Sequence, residues 1–218
     1  MKIYNIDYFD YIPAELFNGI ITDPPFKSFN NLLNGKNLSI KLMFKKFDND
    51  TKDDSFLISF CNIKLFFDLI ESSKDTNFKF KTYQIWNKLP VRTWISWSYP
   101  LRHNELIAYF SKGNFKFDFK DLTVKKAYKR SSFGGKLKNT TKNKNKLSYG
   151  VFPETITYKN DKNKSHPTEK PIQFSRMFKI ICKNIINPFV LDPFAGTGNL
   201  IKMFSNSIGI EINKKYIK

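Results

Sequence analysis

The chain has 218 residues, room for one domain with a substantial core plus an insertion, but hardly for two large domains. Lys and Arg number 37 against 19 Asp and Glu, and the net charge of +18 favours a polyanionic partner, though a lysine-rich solubility surface or A/T-rich coding would leave the same mark. No apolar run approaches membrane-spanning length, residues 1–10 carry acids where a signal peptide is apolar, and Cys61 and Cys182 lack metal-ligand spacing. The expectation is a cytoplasmic protein with reduced thiols, no metal and no membrane partner. Its 17% of aromatic residues, mostly Phe, leaves rings to spare for stacking on bases.

In chain order, residues 3–6 predict a strand, 8–17 an amphipathic helix, and 19–22 a second strand cut off by Pro24 and Pro25. Residues 27–52 are polar and predict a loop with one short helix near 38–47. Residues 56–60 form a compact apolar run of strand length, and 63–70 continue at helical spacing. Residues 78–86 and 105–110 predict neighbouring strands, separated by an aromatic and basic loop. Residues 112–164 break the rhythm: they are dense in Lys, Asn, Ser and Thr, and 136–146 is nearly low complexity. The α/β pattern then resumes. A helix is expected over 171–185 with proline in its first turn, a strand over 189–191, a helix over 199–204, and a strand over 207–212. The chain reads as one domain over 1–218, with 112–165 as a basic insertion.

The chemistry concentrates in two segments. Asp192-Pro193-Phe194-Ala195-Gly196-Thr197-Gly198 joins a strand to a predicted helix. Gly196 and Gly198 permit close backbone approach, and a helix N-terminus offers free N–H groups. Glu211 follows fifteen residues after Gly196 at the end of the next predicted strand, where an acid suits the two hydroxyls of a ribose. A full Gly-x-Gly-x-x-Gly is absent, and no Gly-Lys-Ser/Thr marks a P-loop. A nucleoside ligand without a triphosphate fits, as S-adenosylmethionine would; a dinucleotide oxidoreductase fits less well.

The other segment is Asp23-Pro24-Pro25-Phe26, at the C-terminal end of a predicted strand. Two prolines stiffen the turn and remove backbone donors, so carboxylate and carbonyl can only accept, matching the two hydrogens of an amino group. Phe26 offers a stacking face. A rigid turn is the alternative reading of these residues taken by themselves.

Together these segments resemble the DNA amino-methyltransferases that modify adenine N6 or cytosine N4, with their Asp/Asn/Ser-Pro-Pro-aromatic and Phe-x-Gly-x-Gly motifs. The base-binding motif comes first here, an order similar to the circularly permuted beta group. His166-Pro167-Thr168-Glu169-Lys170-Pro171 looks like that group's His-Pro-Thr-x-Lys-Pro element, and Trp86-Asn87-Lys88 with Arg102-His103 and Glu105 looks like its Trp-x-Lys … Glu strand pair. Phe26 stands where Tyr is commoner, and the chain is short for the group.

The resemblance implies a Rossmann-like S-adenosylmethionine-dependent methyltransferase fold, α/β, with a mostly parallel sheet and flanking helices. It implies methyl transfer to adenine N6 by base flipping, since Asp at position 23 is the usual adenine form and Ser marks most cytosine-N4 enzymes. A non-catalytic DNA-binding protein that has kept the fold is the reading from another class. Asp23, Pro24, Pro25 and Phe26 would hold the base. The cofactor would be held by Asp7, Thr22 and Asp23, by His166, Thr168 and Lys170 at its methionine end, by Asp192, Phe194, Ala195, Gly196, Thr197 and Gly198, and by Glu211 with Ile212. Double-stranded DNA is the expected partner, with a homodimer left open. Its phosphates would meet Lys125, Lys126, Lys129, Arg130, Lys136 and Lys138 of the insertion, or Arg92 and Arg102 of the aromatic loop.

Overall fold

The computed structural model describes residues 1–25, 39–88, 104–122, 124–125, 150–151, 154–158 and 169–217. Short continuous apolar runs build its central strands, with successive side chains entering opposite faces. Along β3 (Thr51–Cys61), Phe56, Ile58 and Phe60 enter one core while Leu57 and Cys61 enter the other. This is the period of two expected of a strand buried on both faces. Around it lie β1 (Lys2–Tyr4), β2 (Phe17–Thr22), β4 (Lys79–Asn87), β5 (Asn104–Lys112), β8 (Thr155–Ile156), β9 (Val190–Asp192) and β10 (Ser207–Ile210), in the order β1-β10-β9-β2-β3-β5-β4-β8. From β1 to β3 across the sheet every pairing is parallel. β5 then runs antiparallel to both β3 and β4, and β8 pairs parallel with β4. Two short strands, β6 (Val124–Lys125) and β7 (Gly150–Val151), pair separately and antiparallel.

Helices cover both faces. On one side α1 (Ile40–Asp50) and α2 (Ile63–Ser73) insert Met43, Phe44, Phe47, Leu65 and Leu69. Both carry side-chain caps: Ser39 Oγ accepts from Leu42 N–H at 3.4 Å, and Asn62 Oδ1 from Leu65 N–H at 2.8 Å. On the other side α3 (Ile172–Ile181), entered directly from Pro171, inserts Phe174, Met177, Phe178 and Ile181. Each fully buried Phe contributes roughly 1.5–3 kcal/mol relative to exposure. Both cysteines are buried free thiols.

Two expected helices are not formed. In 8–17 only Tyr8–Asp10 makes a 3-10 turn, with Asp7 Oδ1 accepting Phe9 N–H at 3.0 Å. Pro13 removes a helical donor and disfavours helical backbone at Ile12, and Phe17 is already a fully buried residue of β2. Residues 199–204 are successive tight turns, closed by Ile201 N–H to the Gly198 carbonyl and Phe204 N–H to the Ile201 carbonyl. Met203 N–H is diverted to Ser175 Oγ of α3 at 3.0 Å, and Ser207 Oγ donates to the Phe204 carbonyl at 2.9 Å. Side chains thus take backbone groups that a helix would pair.

Other boundaries move less. The short helix expected near 38–47 is α1, and it runs straight into β3, so 51–52 is strand rather than loop. The ends of the 112–165 segment belong to the fold. Lys112 donates to the carbonyls of Asp48 at 2.8 Å and Thr51 at 3.1 Å, while Phe115, Phe117, Phe119 and Ile156 pack in the core. Of the expected phosphate-binding residues, only the backbone of Lys125 is described, in β6. Lys126, Lys129, Arg130, Lys136, Lys138, Arg92 and Arg102 lie outside the described residues, as do Phe26, His103, His166 and Thr168. Among the described residues no helix is long and apolar enough to cross a membrane.

Candidate active site

The site lies along the edge where β10, β9 and β2 end. Parallel pairing brings their C-termini together: Gly209 lies opposite Asp192, and Ile20 opposite Leu191. Glu211, Asp192, Thr22 and Asp23 therefore emerge side by side. The neighbouring strands β9 and β2 come from opposite ends of the chain and the turns after them leave in different directions, the position where such sheets usually bind a ligand in a crevice.

After β9 the chain turns at Pro193 and Phe194. Asp192 Oδ1 accepts Phe194 N–H at 3.1 Å. Gly196 and Gly198 have φ of 52° and 78°, a region that side-chain-bearing residues avoid. At Gly198 a Cβ would also crowd the Met1 side chain, 2.9 Å from its Sδ, so that side chain would have to shift. Glu211 staples this turn to the next one, with Oε2 accepting Gly196 N–H at 2.8 Å and Oε1 accepting Asn213 N–H at 2.7 Å.

The crevice gathers unsatisfied acceptors. Asp192 and Thr22 stand together, yet neither Asp192 Oδ2 nor Thr22 Oγ1 completes a hydrogen bond among the described residues, although both atoms are buried. Burial pushes the Asp192 carboxyl well above the usual carboxylate range; the Phe194 N–H and the nearby Thr22 hydroxyl oppose this, while Asp23 and Glu211 add to it. Within a chain of net charge +18, this edge is locally acidic. It suits a ligand that brings hydrogen-bond donors and positive charge.

Asp23 belongs to a second, more deeply paired group. Lys170 Nζ, on the residue before Pro171, donates to Asp23 Oδ2 at 2.5 Å and lies 3.1 Å from Glu105 Oε2. Lys88, just past β4, pairs with Glu105 from the other side. Trp86 lies opposite Glu105 across β4 and β5, and the Lys170 ammonium lies over the rings of Phe60 at 5.1 Å and Trp86 at 5.8 Å. Charges alternate along Lys88, Glu105, Lys170 and Asp23. Burial raises the Asp23 carboxyl, and Lys170 opposes that rise. Burial acts to lower the Lys170 ammonium, but Asp23 and Glu105 outweigh it and hold it above its ordinary value.

The sequence matches the N6/N4 DNA methylase family over residues 17–218, which include both motif segments. The chain belongs to this family. Solved structures agree in fold. This methylase superposes on M1.HpyAVI, solved as a complex with SAM, with a TM-score of 0.70 at 21% identity, covering 99% of this chain and 95% of that one. A second M1.HpyAVI structure gives a TM-score of 0.67 at 19% identity, covering 99% and 93% of the two chains. TTHA0409 from Thermus thermophilus, described there as a proposed DNA modification methylase, gives 0.58 at 15% identity, covering 99% and 90%. A comparison with curated proteins finds no match. The fold is the α/β, Rossmann-like architecture of these methyltransferases, its sheet mixed but parallel in most pairings.

Of the residues singled out in the methylase sequence, Thr22, Asp23, Asp192, Phe194, Ala195, Gly196, Thr197, Gly198 and Glu211 line one edge. Asp7 stands beyond β1, next to β10, and Asn5 Nδ2 ties that strand end to the carbonyls of Glu211 and Ile212. Ile212 is partly exposed at 37%. Lys170 is only 5% exposed, closed in by Asp23, Glu105 and the rings. Glu169 and Asn199 are not among the residues to which the sequence motifs point. Glu169 Oε1 accepts from Thr197 Oγ1 at 3.1 Å and Asn199 Nδ2 at 2.5 Å, fastening the segment that carries Lys170 to the glycine turn. Nothing local marks this contact, because its partners are 28 and 30 residues apart.

Proposed function

We propose that this DNA methyltransferase methylates N6 of adenine in double-stranded DNA, with S-adenosylmethionine as cofactor and the target base turned out of the helix. The observation that carries the reading is the meeting of Asp23, Asp192 and Glu211 at one sheet edge, beside a turn shaped by two positive-φ glycines. The donor set fits the cofactor. Glu211 suits the ribose hydroxyls, Asp7 the adenine, and the unpartnered Asp192 Oδ2 and Thr22 Oγ1 suit the ammonium of the methionine part. When bound, S-adenosylmethionine supplies a methyl group activated by its sulfonium sulfur.

The protein's part is to position and polarise. Asp23 Oδ1 and the Pro24 carbonyl accept the two hydrogens of the exocyclic amino group. This draws the nitrogen towards tetrahedral geometry and frees a lone pair otherwise delocalised into the ring. Phe26 stacks on the base. No strong base is needed beforehand, because the methylated ammonium product is acidic and loses its proton afterwards. Asp rather than Ser at position 23 supports adenine over cytosine. The base-binding segment on β2 preceding the glycine turn after β9 supports the permuted beta group.

Methyl transfer to unmethylated DNA, with the product nucleosides identified by mass spectrometry, tests this reading. N6-methyladenine is expected. N4-methylcytosine would overturn the substrate assignment. Cofactor and DNA binding without transfer would favour a binding protein that has kept the fold.

A further inference from the structure

The alternating row Lys88–Glu105–Lys170–Asp23 is more than a fold requires at one strand end. Burying charges is costly, and a row of four charged side chains rarely adds net stability over apolar packing. Its inner members are nearly closed to solvent, Lys170 at 5% and Glu105 at 9% exposure, and its end is the carboxylate proposed to hold the substrate amine. Asp23 Oδ2 is occupied by Lys170, whereas Asp23 Oδ1 has no partner among the described residues. The Lys170 ammonium has little freedom: Asp23 and Glu105 lie on two sides, Phe60 and Trp86 close a third, and Glu169 ties its backbone to Thr197 and Asn199.

We infer that Lys170 is a positioning residue of methyl transfer: clamped by Glu105, its ammonium fixes one oxygen of Asp23 and leaves the other as the acceptor presented to the target amino group. This rests on the reading of Asp23 as that acceptor. A carboxylate free to rotate would offer either oxygen at varying angles, and a misplacement of about 1 Å can cost 100-fold in rate. Lys170 also keeps Asp23 in its accepting, ionised form. Five groups face Asp23: Lys170 before α3, Glu105 on β5, Lys88 after β4, the Cys61 thiol at the end of β3, and Asp192 at the end of β9. Burial raises the Asp23 carboxyl and Glu105 adds to that rise, while Lys170 is the foremost group opposing it and Lys88 a lesser one.

The test is the pH profile of kcat for Lys170→Met, Lys170→Arg, Asp23→Asn and the Asp23→Asn/Lys170→Met double variant, with cofactor affinity measured alongside. Lys170→Met should move the acidic limb up by about 1–3 pH units, the effect of removing an adjacent opposite charge. It should lower kcat by up to about 100-fold and leave cofactor affinity within a factor of about two, because the Lys170 ammonium is engaged by Asp23 and Glu105 and not by the methionine end that the resemblance gives it. Lys170→Arg should restore the limb. The double variant should be no slower than Asp23→Asn, because Lys170 acts through Asp23. Should Lys170→Met not fold, Glu105→Gln decides: removing that negative charge should shift the limb to lower pH. An unmoved limb in Lys170→Met, an upward shift in Glu105→Gln, or a loss of cofactor affinity with kcat intact overturns the inference. Wild-type turnover in Asp23→Asn would instead overturn the reading of Asp23 itself.

Discussion

The Glu211 carboxylate accepts the backbone N–H of Gly196 at 2.8 Å and that of Asn213 at 2.7 Å, so one side chain joins the turn after β9 to the turn after β10. Under the proposed function its remaining lone pairs would accept from the hydroxyls of a ribose. Glu211→Ala should weaken S-adenosylmethionine binding by about 1.5–3 kcal/mol, the worth of a charged acceptor. Glu211→Gln, which keeps an oxygen for Gly196, should lose less. Calorimetry on the folded variants measures both, and unchanged affinity in Glu211→Ala would reduce the residue to a staple.

Asp23→Ala should abolish most methyl transfer while keeping cofactor binding. Removing one positioned hydrogen-bonding group at a reacting centre costs on the order of 100-fold or more. Single-turnover kinetics on saturating DNA is the measurement. Near-normal rates would remove Asp23 from the chemistry.

Asp192 gives a stability prediction with a definite sign. Its carboxyl is held well above the usual range by burial, so the folded state resists ionising it. The stability it contributes is complete below the unfolded value of about 3.9 and is lost as pH rises through the raised folded value. Asp192→Asn should therefore melt higher than the parent at about pH 7 without ligand, by roughly 2–4 °C for each kcal/mol recovered in a chain of this size. The gap should close towards about pH 4, near the ordinary carboxylate value. The same variant should bind S-adenosylmethionine more weakly. Melting curves across pH check the first expectation and calorimetry the second.

Phe26→Tyr and Phe26→Trp should keep activity, and Phe26→Ala should lose about 1–3 kcal/mol of base stacking. Circular dichroism of Phe26→Ala is the control, since unfolding would place the ring in the core instead of on the base.

The lysine-rich stretch gives the DNA prediction. Neutralising Lys136, Lys138, Lys142, Lys144 and Lys146 together should weaken DNA binding and flatten its salt dependence, by about 0.9 in slope for each phosphate that the variant no longer neutralises. Cofactor affinity should not change. An unaltered slope would shift the gripping role to residues 27–52 or to the basic loop holding Arg92 and Arg102.

How much could be read from the sequence follows from the range of the forces involved. Asp23-Pro24-Pro25 and Asp192–Gly198 were legible because proline and glycine set their own backbone within a few residues. β3, β5 and α2 were legible because burial on both faces of a strand leaves a short continuous apolar run, and burial of one helix face leaves a period of 3.6. The same local reasoning failed at 8–17 and 199–204. There Pro13 lacks a helical donor, and the side chains of Ser175 and Ser207 take backbone groups that apolar spacing alone would assign to a helix. Only the tertiary structure decided that Lys170 sits on Asp23, 147 residues away, that Glu105 and Lys88 continue the row, and that Glu169 fastens it to the glycine turn. Which of 37 cations stands beside a given carboxylate depends on strand order and register, and these emerge only when the two halves of the sheet meet between β9 and β2.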